Sequence, residues 1–159
     1  MTWYVTTAAA TTCTFFKTFH LFCCSPQADL IETARRRGRG SVVHCVAGVS
    51  RSTTLVLAYL LKYTSLSLHQ AFVHTKTVRP VVRPNVGFLQ QLMDYEARVK
   101  PGGVRSAAMV TTLDRRRKVT VTVPDFYKKE FPDLYEWEVN KQLAKNAASG
   151  GGGGDGKKQ

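Results

Sequence analysis

The spacing of apolar residues predicts a helix over PQADLIETARRR (26–37), with a proline in the first turn and an apolar face. Ser41–His44 is typical of a short buried strand, and 45–51 of a loop. The run STTLVLAYLLKY (52–63) is apolar on nearly every side. Such a run predicts a central helix buried by its neighbours.

Two further helices are predicted from their capping residues. Ser67 and Gln70 have the spacing of a capping box ahead of an apolar stretch, and that helix should end before the prolines of 79–84. Asn85 can cap a third helix. Beyond it, VTVTV (119–123) alternates as a strand does. An aromatic cluster that should pack back on the domain follows, made of Phe126, Tyr127, Phe131, Leu134, Tyr135 and Trp137.

Composition indicates an ordinary folded domain of 159 residues, with a formal charge of +12 that favours anionic or phosphorylated partners. Four cysteines show neither zinc-site spacing nor a disulfide framework, so we expect a reduced, intracellular protein. The first 25 residues hold no acidic residue and lack the basic start of a signal peptide. Their Thr, Val, Tyr and Phe favour β-structure, and the alternative is a segment that packs poorly.

The stretch HCVAGVSRS (44–52) lies between the predicted strand and the central helix. Backbone N–H groups of 46–51 can surround a dianion, and Gly48 allows the conformation that this needs. The Arg51 guanidinium can bind two phosphate oxygens at once. Cys45 lies beneath the same N–H groups, whose dipoles favour a thiolate.

A free cysteine is more often a small buried apolar residue, and this is the alternative for Cys45. Five specified residues in this pattern recur by chance at about 10⁻⁷ per position, from ordinary amino-acid usage. They also fall at a strand-to-helix junction, which this chemistry requires. A phosphate site with a nucleophile is therefore the favoured interpretation.

With these residues the chain resembles the cysteine-dependent protein phosphatases, specifically the small atypical dual-specificity phosphatases. AYLLKY, RPVVRPNVGF and DYE (94–96) follow the loop as they do in that family. The resemblance is strong over 28–99 and weaker through VPDFYKKEFPDLYE (123–136). It implies an α/β fold: a sheet flanked by helices, with a P-loop between strand and helix and with the N-terminal strands missing or replaced.

The resemblance also implies a domain organisation. Residues 1–25 form an atypical N-terminal segment, 26–142 the catalytic domain, and 143–159 a disordered Gly-rich tail. Phosphorylated proteins are the implied partners, with MAP-kinase pathway members among them, in the cytoplasm and also the nucleus. No cofactor, metal or membrane span is expected. Basic runs such as 115–118 are ascribed to solvated surface, and nucleic acid is not expected as a partner.

Carried over by resemblance, Cys45 is the nucleophile, Arg51 clamps the phosphate and Ser52 stabilises the thiolate as a leaving group. His44 orients the loop and Asn85 braces it. The substrate-binding residues are Val46, Ala47, Gly48, Val49, Ser50 and Arg51.

One feature of the family is not found. Its general-acid Asp precedes the nucleophile by roughly 30 residues, but here that count falls on 12–15, which hold no acid. Asp29 is the first acidic residue, and its expected role is to cap its helix. The expected function is therefore hydrolysis of phosphotyrosine, and of phosphoserine or phosphothreonine, through a phosphocysteine, weakened by the missing acid. The alternative is a phosphatase-like module that binds phosphorylated proteins with little turnover.

Overall fold

The computed structural model describes residues 4–7 and 24–149. The chain divides into two compact units, 1–108 and 109–159, which are described separately. Helices and short antiparallel sheets alternate, which confirms the predicted α/β class. No helix in the described ranges is long and apolar enough to cross a bilayer.

Within its described residues, 4–7 and 24–108, the first unit contains two strands, four helices and a short 3₁₀ turn. In chain order they are β1 (Tyr4–Thr7), α1 (Cys24–Arg36), β2 (Ser41–His44), α2 (Arg51–Tyr63), α3 (Leu68–Val78), α4 (Val86–Val99) and the turn Pro101–Gly103. β1 pairs with β2 in antiparallel register, with Tyr4 opposite His44 and Thr7 opposite Ser41. β-structure was expected within the first 25 residues, and β1 agrees with this over 4–7, whereas 24 and 25 lie in α1 and 1–3 and 8–23 lie outside the described residues.

Helix α2 occupies the centre of the unit, in contact with α1, α3, α4 and β2. It is buried on most sides because its residues are apolar around almost the whole circumference, as the sequence predicted. The fully or almost fully buried side chains of this core include Leu57, Ala58, Leu61, Leu68, Ala71, Phe72, Leu89, Leu92 and Met93.

The helix ends follow the predicted chemistry closely. Ser67 accepts from the N–H of Gln70, and the Gln70 side chain accepts from the N–H of Ser67, which completes the predicted capping box. The Asn85 side chain caps α4 by accepting from the N–H of Gly87. The first helix begins at Cys24, so Pro26 is its third residue and still lies in the first turn.

The second unit is a hairpin packed on helices. It contains β3 (Met109–Asp114), β4 (Val119–Pro124), α5 (Tyr127–Glu130) and α6 (Pro132–Ser149). The predicted strand at 119–123 is present, whereas its partner β3 was not predicted. The alternate residues Val119, Val121 and Val123 are buried on the face of β4 that contacts α6.

Two other predictions concern this unit. Phe126, Tyr127 and Phe131 form edge-to-face ring contacts with centroids 5.5–6.5 Å apart, so the central part of the aromatic cluster is present. Residues 143–149 lie in α6, although the sequence predicted that the disordered tail begins at 143. The helix continues there because Ala144, Ala147 and Ala148 favour it. The rest of the predicted tail, 150–159, lies outside the described residues.

Candidate active site

The candidate site is the loop between β2 and α2. β2 ends at His44, so Cys45 is the first residue of the loop, and α2 begins at Arg51. The loop therefore joins a short strand to the N-terminal end of a helix, where backbone N–H groups carry partial positive charge. The sequence placed both boundaries within one residue.

The half-buried Cys45 thiol receives several hydrogen bonds. The N–H of Gly48 donates to its Sγ at 3.2 Å, and Sγ lies 3.3 Å from the Ser52 Oγ. Burial raises the pKa of the Cys45 thiol, but bonds from the Ser52 hydroxyl and from the N–H groups of Ser52, Gly48 and Ser50 outweigh it. The net pKa is below the usual value, so the site favours a thiolate.

Gly48 is needed for the shape of this loop. Its φ is +64°, in the left-handed region that residues with a side chain rarely adopt. A Cβ at this position would also lie 3.3 Å from the Arg79 Nη2. The positive φ and the lack of space for a Cβ explain why this position, whose N–H points toward the Cys45 thiol, is occupied by glycine.

A second segment, 79–85, supports the loop from outside. The N–H of Arg83 donates to the Val49 carbonyl at 2.6 Å, and the N–H of Asn85 donates to the Ser50 Oγ at 3.0 Å. The bracing through Asn85 thus comes from its backbone, while its side chain caps α4. Sequence reasoning did not identify Arg83 in this role, because a backbone bond carries no side-chain signature.

The structure brings four of the expected residues together. Cys45, Gly48, Ser50 and Ser52 converge at the thiol. Arg51 is half-buried at the first position of α2, next to Ser52. Of the other expected loop residues, His44, Val46 and Ala47 are exposed and Val49 is half-buried.

Asp29 does not lie at the loop. Its Oδ1 accepts from the Lys62 Nζ at 2.5 Å and from the Tyr63 hydroxyl, both in the last turn of α2. Eleven residues separate Lys62 from Arg51, or about 16 Å along a helix. Hydrogen bonds from Lys62 and Tyr63 lower the pKa of Asp29, so it is ionised at neutral pH. It ties α1 to α2, rather than capping α1 as expected.

The other carboxylates of the first unit are also engaged elsewhere. Glu32 accepts from Arg35, Arg36 and Tyr59. Asp94 pairs with Arg105 at 3.0 Å. The buried Glu96 accepts from the N–H groups of Leu68 and Ser106. Within the described part of this unit, no carboxylate is therefore placed as a proton donor beside Cys45.

An apolar cleft of about 530 Å³ runs along α2 between β2 and α3. Val43, Val56 and Leu60 line it, and Gly48 and Ser52 of the loop lie at its border. Apolar surroundings strengthen hydrogen bonds to an ionised group. No group of three or more His, Cys, Asp or Glu side chains in the described ranges is placed to hold a metal ion.

Comparison with known proteins shows which family this chain resembles. Residues 24–98 match the family model "Dual specificity phosphatase, catalytic domain". Mouse dual specificity protein phosphatase 14 is 44% identical over 103 residues, which cover 65% of this chain and 48% of that protein. Human dual specificity protein phosphatase 21 is 42% identical over 105 residues, which cover 66% and 51%. The chain spans about half the length of the curated relatives it matches.

The solved structures agree. The crystal structure of human DUSP28 superposes with a TM-score of 0.50 at 38% identity, covering 51% of this chain and 57% of that one. The matched residues include the loop, the helix that follows it and the bracing segment. Residues 24–98 are therefore similar to the dual specificity phosphatase catalytic domain, as the sequence predicted.

Proposed function

We propose that this chain is a cysteine-dependent protein phosphatase that hydrolyses phosphotyrosine, and phosphoserine or phosphothreonine more weakly. The observation that carries the proposal is the Cys45 thiol, whose pKa is lowered inside a loop of N–H groups at the start of α2. A thiolate attacks an electrophilic atom, and N–H groups in this arrangement bind an anion. A phosphate ester has both features, because its phosphorus is electrophilic and its oxygens are negatively charged.

The first proposed step is attack of the Cys45 Sγ on phosphorus. The S–P bond forms as the P–O bond to the substrate breaks, and the leaving oxygen then takes a proton from a water molecule. The N–H groups of 46–51 and the Arg51 guanidinium stabilise the charge on the transferring phosphoryl oxygens. Arg51 is suited to this because its planar group forms two parallel hydrogen bonds.

The second proposed step is hydrolysis of the phosphocysteine. Water attacks phosphorus, the S–P bond breaks and inorganic phosphate leaves. Cys45 departs as a thiolate, and the Ser52 hydroxyl, 3.3 Å from Sγ, can donate to it. Loss of this donor raises the energy of the leaving thiolate, so Ser52 acts in the second step as well as in setting the pKa.

The proton for the leaving oxygen determines which substrates react. General-acid catalysis contributes about 10²–10⁴-fold. Residues 1–28 contain no Asp or Glu, and the described carboxylates of the first unit are engaged elsewhere. An aryl oxide leaves without much protonation, whereas an alkoxide does not. We therefore expect aryl esters to react far faster than alkyl esters.

A second candidate function is a module that binds phosphorylated proteins with little turnover. The engaged carboxylates favour it, because binding needs the loop and Arg51 but no proton donor. Under either function the proposed partners are phosphoproteins, with MAP-kinase pathway members among them, in the cytoplasm and nucleus.

The test is steady-state hydrolysis of p-nitrophenyl phosphate and of an alkyl phosphate by the protein and by Cys45→Ser, with folding checked by thermal melting. The phosphatase proposal predicts aryl turnover that is lost in Cys45→Ser, and alkyl turnover at least about 100-fold slower. Equal rates on the two esters would show that a proton donor is present. A folded, inactive protein that binds vanadate would favour the binding module.

A further inference from the structure

The β3–β4 hairpin ends in a rigid turn of four cations, Arg115-Arg116-Arg117-Lys118, here called the basic turn. The Asp114 Oδ1 accepts from the N–H groups of Arg116 and Arg117, each at 3.0 Å. Lys118 closes the turn with a φ of +52°. Asp at the first position is a recognised way to fix such a turn. The side chains of this turn therefore project from an ordered backbone.

The four cations do not play the same part. Arg117 faces inward, where its guanidinium contacts Glu136 of α6 at 2.5 Å and Asp114 at 3.5 Å. Arg115, Arg116 and Lys118 are exposed. Arg117 thus connects the turn to α6 through its ion pair with Glu136, and the other three cations are exposed to solvent.

An apolar side chain lies directly beside these cations. Leu113 is 56% exposed and pairs with Thr120 across the hairpin. It shares the outer face with Thr111 and Thr122, whose hydroxyl oxygens are 3.0 Å apart. The outer face of the hairpin thus presents an exposed leucine beside three exposed cations.

The shape and composition of the turn decide between partners. The turn is convex, so it contacts a surface and does not enclose a small ligand. Residues 109–124 contain no aromatic side chain on which a base could stack. Cations beside an aliphatic side chain match the interface of a bilayer, where the cations meet lipid phosphates and the leucine meets acyl chains.

We propose that the basic turn, with Leu113, is a docking surface for membranes that contain acidic phospholipids. Each cation near such a surface strengthens binding by about fivefold. Lys128, whose Nζ lies 5.9 Å from the ring of Tyr135, is a further exposed cation of this unit. The attraction is reversible and weakens with salt. The proposal is independent of the phosphatase activity.

The experiment is co-sedimentation of the full chain with phosphatidylcholine vesicles, with and without phosphatidylserine. We expect binding only to the vesicles that contain phosphatidylserine. Replacing Arg115, Arg116 and Lys118 together by Ala should weaken it by about 100-fold, and Leu113→Thr by about tenfold. Arg117 is left in place so that the turn keeps its contact with α6.

The matched control removes three exposed cations elsewhere, with Arg37, Arg39 and Lys145 replaced by Ala. It should retain most of the binding and has the same net charge as the turn variant. Equal losses in the two variants would overturn the proposal in favour of overall charge. So would an unchanged affinity of Leu113→Thr, or failure to bind the acidic vesicles. If duplex DNA displaced the protein from the vesicles, and if DNA binding needed the three cations but not Leu113, the turn would instead be a nucleic-acid-binding surface.

Discussion

The phosphate loop (45–51) and the basic turn (115–118) are both short connections rich in positive potential, but they are built in opposite ways. In the first, backbone N–H groups turn inward onto one sulfur atom, and Gly48 makes the inward turn possible. In the second, the backbone N–H groups bind Asp114 and three of the four side chains, Arg115, Arg116 and Lys118, point outward. A concave loop of N–H groups focuses its potential on a reacting atom, whereas a convex turn spreads charge over a surface.

The comparison is tested most strongly by removing one arginine from each region. Arg51→Ala should lower kcat/KM for an aryl phosphate by about 10²–10³-fold, because the transition state loses a bidentate donor. Arg115→Ala removes the same charge from the turn and should leave kcat/KM unchanged. Arg51→Lys should remain impaired, since an ammonium lacks the planar fork. If Arg51→Ala and Arg115→Ala lowered kcat/KM equally in steady-state assays, the loss of overall charge would explain both effects and the comparison would fail.

A second test compares two glycines that share a left-handed backbone. Gly48 has φ +64° and Gly38 has φ +66°, but only Gly48 has an atom near the position of a Cβ. Each Ala variant should be less stable by about 1–2 kcal/mol, measured by denaturant unfolding. Only Gly48→Ala should also lose activity, by about 10²-fold, because the N–H groups move. If Gly38→Ala lost as much activity, the effect would be one of stability alone.

The role of Ser52 predicts a change in pH dependence. Activity needs the thiolate, so kcat/KM should rise as pH increases through the pKa of Cys45, which is lowered in the intact loop. Ser52→Ala removes a donor to the thiolate, which raises that pKa and moves the acidic limb to higher pH. Thr33→Ala, which removes an exposed hydroxyl on α1, should leave the profile in place. If the acidic limb of the pH profile of kcat/KM lay at the same pH in Ser52→Ala as in the unchanged protein, the account would be contradicted.

The smallest effect is expected at the basic turn. Asp114→Ala removes the acceptor of two N–H groups and should cost about 1–2 kcal/mol of stability with no change in aryl phosphate turnover. Asp114→Asn keeps an acceptor oxygen and should cost less than half as much. Thermal melting and steady-state turnover of both variants provide the measurement. An Asn variant as unstable as the Ala variant would mean that the carboxylate charge matters and not the turn geometry.

The two regions also differ in how well the sequence predicted them. The phosphate loop depends on residue types that its chemistry requires, so Cys45, Gly48 and Ser52 could be placed before the structure was known. The hairpin was missed because Lys118 occupies a left-handed position where Gly or Asn is usual, and because the threonines of β3 weaken its apolar alternation. A turn fixed by Asp114 leaves a weaker signal in the sequence than one fixed by glycine.

Other features could not be predicted because they depend on tertiary distance. Asp29 was assigned to its own helix, but Lys62 and Tyr63 reach it from a helix more than thirty residues along the chain. The support of the loop by Arg83 and Asn85 comes from backbone N–H groups, which every residue but proline possesses. Spacing along the chain does not carry such information.

The central claim is that Cys45 is the nucleophile, and the most direct measurement is to trap its phosphorylated form. The protein would be mixed with p-nitrophenyl phosphate, quenched in acid and digested, and the peptide containing Cys45 examined by mass spectrometry. We predict one added HPO₃ on Cys45, more of it in Ser52→Ala because that thiolate leaves more slowly, and none in Cys45→Ser. Turnover with no phosphate on Cys45, or undiminished turnover by Cys45→Ser, would contradict the account.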